Sequence, residues 1–147
     1  MRKIIVTGSE SVIGKAIMEG LWWFVDDYEI IGLDKKNGQD VLDNLELIAT
    51  ADILINNAYI PVDQNALFMA WCKTNKDKAK LCVNISSQIA SAEDPSKFAT
   101  EQYYIDKKYM DEQSVEINKN HWKCKVSVIS PNITNCPLYT SPSPRDP

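Results

Sequence analysis

The sequence predicts an α/β protein built on a doubly wound parallel sheet, and three observations carry that prediction. Short apolar runs alternate with longer helical stretches along the 147 residues. The runs are continuous rather than alternating, as strands covered on both faces require. Strand–helix alternation in turn favours parallel pairing through right-handed crossovers.

Taken in order, "KIIVTG" (3–8) reads as a buried strand and 13–24 as a helix. "YEIIGLD" (28–34) is the second strand, and "VLDNLELIA" (41–49) is a short helical stretch before a third strand, "ADILINNA" (51–58). A helix over 65–78 carries the apolar block "ALFMAWC", followed by the strand "KLCVNISS" (80–87), a helix over 100–118 and a last strand, "CKVSVISPN" (124–132). There is no internal repeat.

This length suits one domain with one core. A hydrophobic content of 44% and a charged content of 24% are ordinary for a globular protein. The net charge of -4 argues against nucleic-acid binding, which needs a basic face. Cys72, Cys82, Cys124 and Cys136 show no Cys-x-x-Cys spacing, and the one histidine is His121, so no metal site is expected. Reduced, buried thiols in a cytoplasmic protein are the expectation. "MRKIIVTG" runs straight into a strand and leaves no room for a signal peptide. No apolar run approaches the roughly 18 residues of a membrane span, so no membrane partner is expected.

The Pro- and Ser-rich end, 138–147, has no core pattern. "LYTSPSPRD" also matches a translated sequencing adapter, so a non-native, disordered tail after a domain of residues 1–137 is expected, and with it a chain cut short at its C-terminus.

"VTGSESVIGKAI" lies where the first strand turns into a helix. Gly8 can make the tight turn and Gly14 lets helix and strand pack closely, so that free N–H groups at the helix start meet a pyrophosphate. Asp34, at the end of the second strand, can accept hydrogen bonds from an adenosine ribose and repel the phosphate of NADP. Val12 stands where a middle glycine would let backbone approach the phosphates.

In these and further motifs the chain resembles the short-chain dehydrogenase/reductase family. Thr7-Gly8-x-x-x-Val12-Ile13-Gly14 resembles its Thr-Gly-x-x-x-Gly-x-Gly loop, and "NNAY" (56–59) its Asn-Asn-Ala-Gly motif. "VNISS" resembles the strand ending in the catalytic serine, and "VSVISPN" the later strand ending in Pro-Gly. The resemblance implies a three-layer α-β-α Rossmann fold, an NAD(P) cofactor and a small-molecule substrate. It also implies cofactor contacts from Thr7, Gly8, Ser11, Val12, Ile13, Gly14, Asp34, Asp40, Val41, Asn57, Ala58, Tyr103, Lys107, Pro131 and Asn132, with NAD expected over NADP. The implied catalytic set is Ser87, a tyrosine, a lysine four residues on, and Asn65 as the anchor of a water relay. A homo-oligomer through the helices near 65–78 and 100–118 is expected.

"YYIDKK" (103–108) holds Tyr-x-x-x-Lys in two registers, and residues four apart share a helical face. In the family the lysine lowers the tyrosine pKa. Bringing a phenol from about 10 toward neutrality takes roughly 4 kcal/mol, and a charge about 4 Å away at an effective dielectric near 20 supplies a similar amount. Three residues after the lysine stands Met110 in one register and Asp111 in the other. An apolar residue suits packing on the sheet and a buried aspartate does not. Tyr103 and Lys107 are therefore expected to be the pair, with Tyr104 and Lys108 the alternative.

The departures are Val12, Tyr59 and Asn132 in place of glycines, and the spacing of Asn65 only eight positions after Asn57, where the family has a helix. A nucleotide-sugar epimerase or dehydratase and a non-catalytic dinucleotide-binding protein stay open beside an NAD(P)-dependent oxidoreductase.

Overall fold

The computed structural model of the chain describes residues 1–91 and 100–131. Five strands, β1 (Arg2–Thr7), β2 (Tyr28–Leu33), β3 (Ile53–Asn56), β4 (Leu81–Ile85) and β5 (Lys125–Ile129), form one sheet in the order β2-β1-β3-β4-β5. Every neighbouring pair is parallel. The helices are α1 (Val12–Phe24), α2 (Leu45–Ala49), α3 (Asp63–Thr74) and α4 (Glu101–Lys119). The 138–147 tail, Cys136 and Asn132 lie outside the described residues.

Helix ends differ from expectation for local reasons. α1 starts at Val12 because the Ser11 hydroxyl accepts from the Gly14 N–H and caps the first turn. The helix expected over 65–78 runs from 63 to 74 instead. It stops where the Asn75 side chain donates to the carbonyls of Trp71 (2.9 Å) and Ala49 (3.2 Å) and ties off the last turn.

The sheet is the middle of three layers. On one face Ile4, Val6, Ile55 and Ile85 meet Ile13, Ile17, Met18 and Leu21 of α1, a helical stripe of the expected spacing. On the other, Ile5, Leu33, Leu54, Cys82 and Val126 meet Ile48 of α2, Phe68 and Trp71 of α3, and Ile117 of α4. Phe68 and Trp71 are the largest fully buried side chains, and removing either ring should cost about 3–5 kcal/mol.

Between β2 and β3 the chain spends residues 35–49 on two three-ten turns and α2, which leaves β2 at the sheet edge. The direction in which successive strands are added to the sheet reverses at the β1/β3 boundary. In open parallel sheets the crevice at that switch point, beyond the carboxyl ends of the strands, is where ligands bind.

Cys72, Cys82 and Cys124 are free and buried. Burial, then the neighbouring Cys124, pushes the Cys72 thiol up to about 12, and burial raises Cys82 and Cys124 as well. Thiolate is the reactive form, so these three should resist alkylation in the folded protein and all react once it is denatured. Mass-spectrometric mapping of alkylated sites checks this; rapid native labelling of Cys72 would contradict it.

Candidate functional site

The β1–α1 turn is built as its sequence suggests. Gly8 sits at φ +67, a left-handed conformation that glycine adopts without strain. A Cβ on Gly14 would lie 1.9 Å from the Gly8 carbonyl oxygen, so helix and turn touch backbone to backbone. The turn is braced from β3. Thr7 Oγ1 accepts from the backbone N–H of Asn57 and of Ala58, both at 3.0 Å, and the Asn57 amide donates to the Gly8 carbonyl (3.1 Å) and to Ser11 Oγ (3.2 Å). Ser11 Oγ also donates to the Gly8 carbonyl. The first N–H groups of α1, on Val12 and Ile13, have no partner among the described residues, and the Val12 side chain is 66% exposed. Such free N–H groups at a helix start suit a phosphate.

Alongside runs a groove of about 520 Å³, lined by Gly8, Ser11, Asp34, Lys35, Lys36, Asp40, Val41, Ala58, Tyr59, Ile60 and Pro61. Asp34 Oδ2 accepts from the Glu10 N–H and Oδ1 from the Lys36 N–H, each at 3.0 Å. An ionised carboxylate has about four acceptor positions, so room for a ribose hydroxyl remains beside these backbone bonds. Asp40 caps the turn at Val41–Asp43 by accepting from the Leu42 N–H, and Val41 is 4% exposed beneath the groove. These residues fit a dinucleotide: a glycine turn no Cβ could occupy, unpaired N–H groups, and a carboxylate with spare lone pairs.

Through Tyr59, which lines this groove, it adjoins residues of α4 and the end of β4. Lys107 is 2% exposed. Its ammonium donates to Gln64 Oε1 and to the Ile85 carbonyl, both at 2.9 Å, and lies 5.4 Å from the ring centres of Tyr103 and Tyr59. Tyr104 and Lys108 repeat the stacking at 5.7 Å, but Lys108 is exposed. Met110 is fully buried. Asp111 is half-buried and its Oδ1 lacks a partner; burial raises its pKa, against the Ser86 hydroxyl and the Lys107 charge. Ser86 and Ser87 are both buried just past β4, and Ser86 Oγ reaches the Lys107 carbonyl at 3.5 Å.

Asn65 is buried in the first turn of α3. Its amide donates to the Asp106 carbonyl at 2.9 Å and its Oδ1 has no partner. It therefore meets the backbone beside Lys107, while Gln64, which the sequence did not single out, holds the ammonium itself. Gln64 is fixed by donating to the Asn56 carbonyl (2.9 Å). Asn56 then bonds Asn84, Asn84 bonds Ser114, and Ser114 bonds the Met110 carbonyl. This buried chain ties β3, β4, α3 and α4 into one platform.

Tyr59 and Asp106 also enter the site unannounced. The Tyr59 hydroxyl donates to Asp106 Oδ2 at 2.8 Å, and its ring meets Tyr103 edge-on at 4.7 Å. Burial first, then the Asp106 carboxylate, raises the Tyr59 pKa well above a normal phenol, so it stays protonated. Asp106 Oδ2 also accepts from Val62 N–H, and Oδ1 from the Gln102 amide. Val62 sits at φ +67, and Asp63 N–H bonds the Pro61 carbonyl across it. A β-branched residue there is strained by about 1–3 kcal/mol, and the Asp106 bond holds it in place. Pro131 accepts from the Gln88 N–H at 3.2 Å at the edge of this region.

No protein-family model matches the sequence, and no curated protein matches it either. Solved structures do match. A short-chain dehydrogenase/reductase from Brucella ovis superposes with a TM-score of 0.66 at 18% identity, over 89% of this chain and 82% of that one. A GDP-L-fucose synthetase from Naegleria fowleri gives 0.65 at 16%, over 89% of this chain and 49% of that one, so the chain spans about half of the synthetase. The 3-alpha-hydroxysteroid dehydrogenase from Pseudomonas sp. B-0831, complexed with NADH, gives 0.63 at 14%, over 88% and 72%. At these identities the likeness is one of fold: the chain has the parallel α/β Rossmann fold of the short-chain dehydrogenase/reductase structures.

Proposed function

We propose that the chain is an NAD-dependent oxidoreductase acting on a carbonyl or alcohol substrate. The observation that carries this is the buried Lys107 ammonium, fixed by Gln64 and Ile85 beside the Tyr103 ring and next to Tyr59 of a groove that fits a dinucleotide. When bound, NAD(H) supplies or accepts the hydride. Val12 and Ile13 N–H groups hold its phosphates, and Asp34 accepts from its ribose. Tyr103 gives its phenolic proton to the substrate oxygen in reduction and takes it back in oxidation. The Lys107 charge favours the phenolate, and Ser87 donates to the same substrate oxygen. Asn65, with its unsatisfied buried oxygen, can anchor a water on the proton's way out. Three buried free thiols favour a cytoplasmic setting.

Consumption of NADH against a panel of carbonyl compounds tests this reading. The fold likeness to a GDP-L-fucose synthetase favours a second one, in which a nucleotide sugar is oxidised only transiently; isomerisation with no net NADH consumption would establish it. Tight cofactor binding without turnover would instead indicate a dinucleotide-binding protein.

NAD(H) should bind more tightly than NADP(H), because Asp34 would face the 2′-phosphate. Lys36 is exposed and Lys35 reaches Asp40 at 3.9 Å, which tempers the preference to about tenfold. Titrating both cofactors by intrinsic fluorescence measures it, and equal or tighter NADPH binding would reject the assignment.

A further inference from the structure

The outer edge of β2 is open among the described residues. The Leu33 carbonyl accepts from the Gly8 and Ser9 N–H groups, at 2.8 and 3.4 Å, so it faces inward. Successive residues of a strand turn their backbone groups to opposite edges, which points those of Tyr28, Ile30 and Gly32 outward. Among the described residues only the Asn37 amide reaches this edge, bonding the Gly32 carbonyl at 3.3 Å. Beside it Trp22, Val25, Asp26, Tyr28 and Ile30 line a groove of about 300 Å³. Ile30 belongs to neither core cluster, and Trp22, Trp23 and Phe24 are 79%, 71% and 87% exposed. An apolar open edge beside exposed aromatics is a surface that soluble proteins normally cover or blunt.

The charges say what covers it. β2 is preceded by Asp26 and Asp27 and followed by Lys35 and Lys36, all four exposed. In a two-fold antiparallel pairing of two β2 strands with Ile31 opposite Ile31, opposed residue numbers sum to 62. Ile30 and Gly32 then exchange their outward backbone bonds, and the Asp26–Asp27 end of each strand comes to lie beside the Lys35–Asn37 turn of the other, with its two lysines. Parallel pairing would instead set like charge against like, which is unfavourable. We propose that the outer edge of β2 is the interface between two copies of this chain, joining their sheets into one continuous sheet through an isologous contact.

The test is the mass in solution of the full chain at micromolar concentration, by analytical ultracentrifugation. The native chain should be a dimer. Asp26→Lys with Asp27→Lys should raise the dimer dissociation constant about tenfold or more, and adding Lys35→Glu with Lys36→Glu to that chain should restore the dimer. Ile30→Pro should also give a monomer with unchanged far-UV circular dichroism, because the lost N–H points away from β1. A native monomer overturns the proposal, as does a dimer that survives both the aspartate reversal and Ile30→Pro. A dimer broken only by Ile105→Lys with Tyr109→Lys would move the interface to α4. A native monomer that dimerises once residues 132–147 are removed would assign the edge to that segment.

Discussion

Tyr103→Phe should lower turnover by about 10²–10⁴-fold, the usual contribution of a positioned acid/base, while leaving NADH affinity within about twofold of the native value. The ring would keep its edge contact with Tyr59 at 4.7 Å and its place beside the Lys107 ammonium, so only the transferable proton is lost. Two other phenols serve as controls. Tyr104→Phe should retain activity, because its partner Lys108 is exposed rather than fixed on the platform. Tyr59→Phe should impair binding more than chemistry, since its hydroxyl proton is committed to Asp106 and its raised pKa keeps it there. Steady-state kinetics on whichever carbonyl compound supports turnover, with fluorescence titration of NADH, separates these roles. If Tyr104→Phe were the inactive variant and Tyr103→Phe the active one, the catalytic register would have to move by one residue.

What the sequence revealed follows from the range of the interactions involved. Continuous apolar runs such as Ile4, Ile5 and Val6 announce a strand buried on both faces without reference to the rest of the chain. The Gly8 turn and its Asp34 partner are likewise local, because turn geometry and helix capping act within a few residues. Gln64 gave no such sign. A glutamine in the first turn of a helix reads as a side chain turned to water, and only the packing of α3 against the sheet and α4 places its amide between Asn56 and Lys107, 43 residues away. The Tyr59–Asp106 pair spans 47 residues in the same way. The positive φ at Val62 has no sequence signature at all, because a tertiary hydrogen bond to Asp106 imposes it on a residue that disfavours it. The strand order also had to come from the structure: the apolar runs say that β2 is a strand, but not that it ends the sheet.

Two glycines of one helix should respond oppositely to the same substitution. At Gly14, the Cβ of alanine would sit 1.9 Å from the Gly8 carbonyl oxygen and 3.0 Å from Ser11 Oγ. The Gly8 carbonyl is backbone and cannot rotate aside as a side chain would, so α1 must move away from the turn. That displacement would break the bonds that Gly8 O accepts from Ser11 and Asn57, and carry the free N–H groups of Val12 and Ile13 out of line with the groove. Gly14→Ala should therefore cost at least about 3 kcal/mol, the upper range for overpacking, and abolish measurable dinucleotide binding. At Gly20, in the interior of the same helix, an added Cβ meets nothing within 4 Å. Gly20→Ala there relieves the entropic penalty of glycine in a helix and should stabilise the fold by about 0.5–1 kcal/mol, with cofactor affinity unchanged. Denaturant unfolding of both variants beside the native chain, with NADH titration of each, makes the comparison. If Gly14→Ala unfolded at the native midpoint and bound NADH normally, the close turn–helix contact would not be what shapes this site.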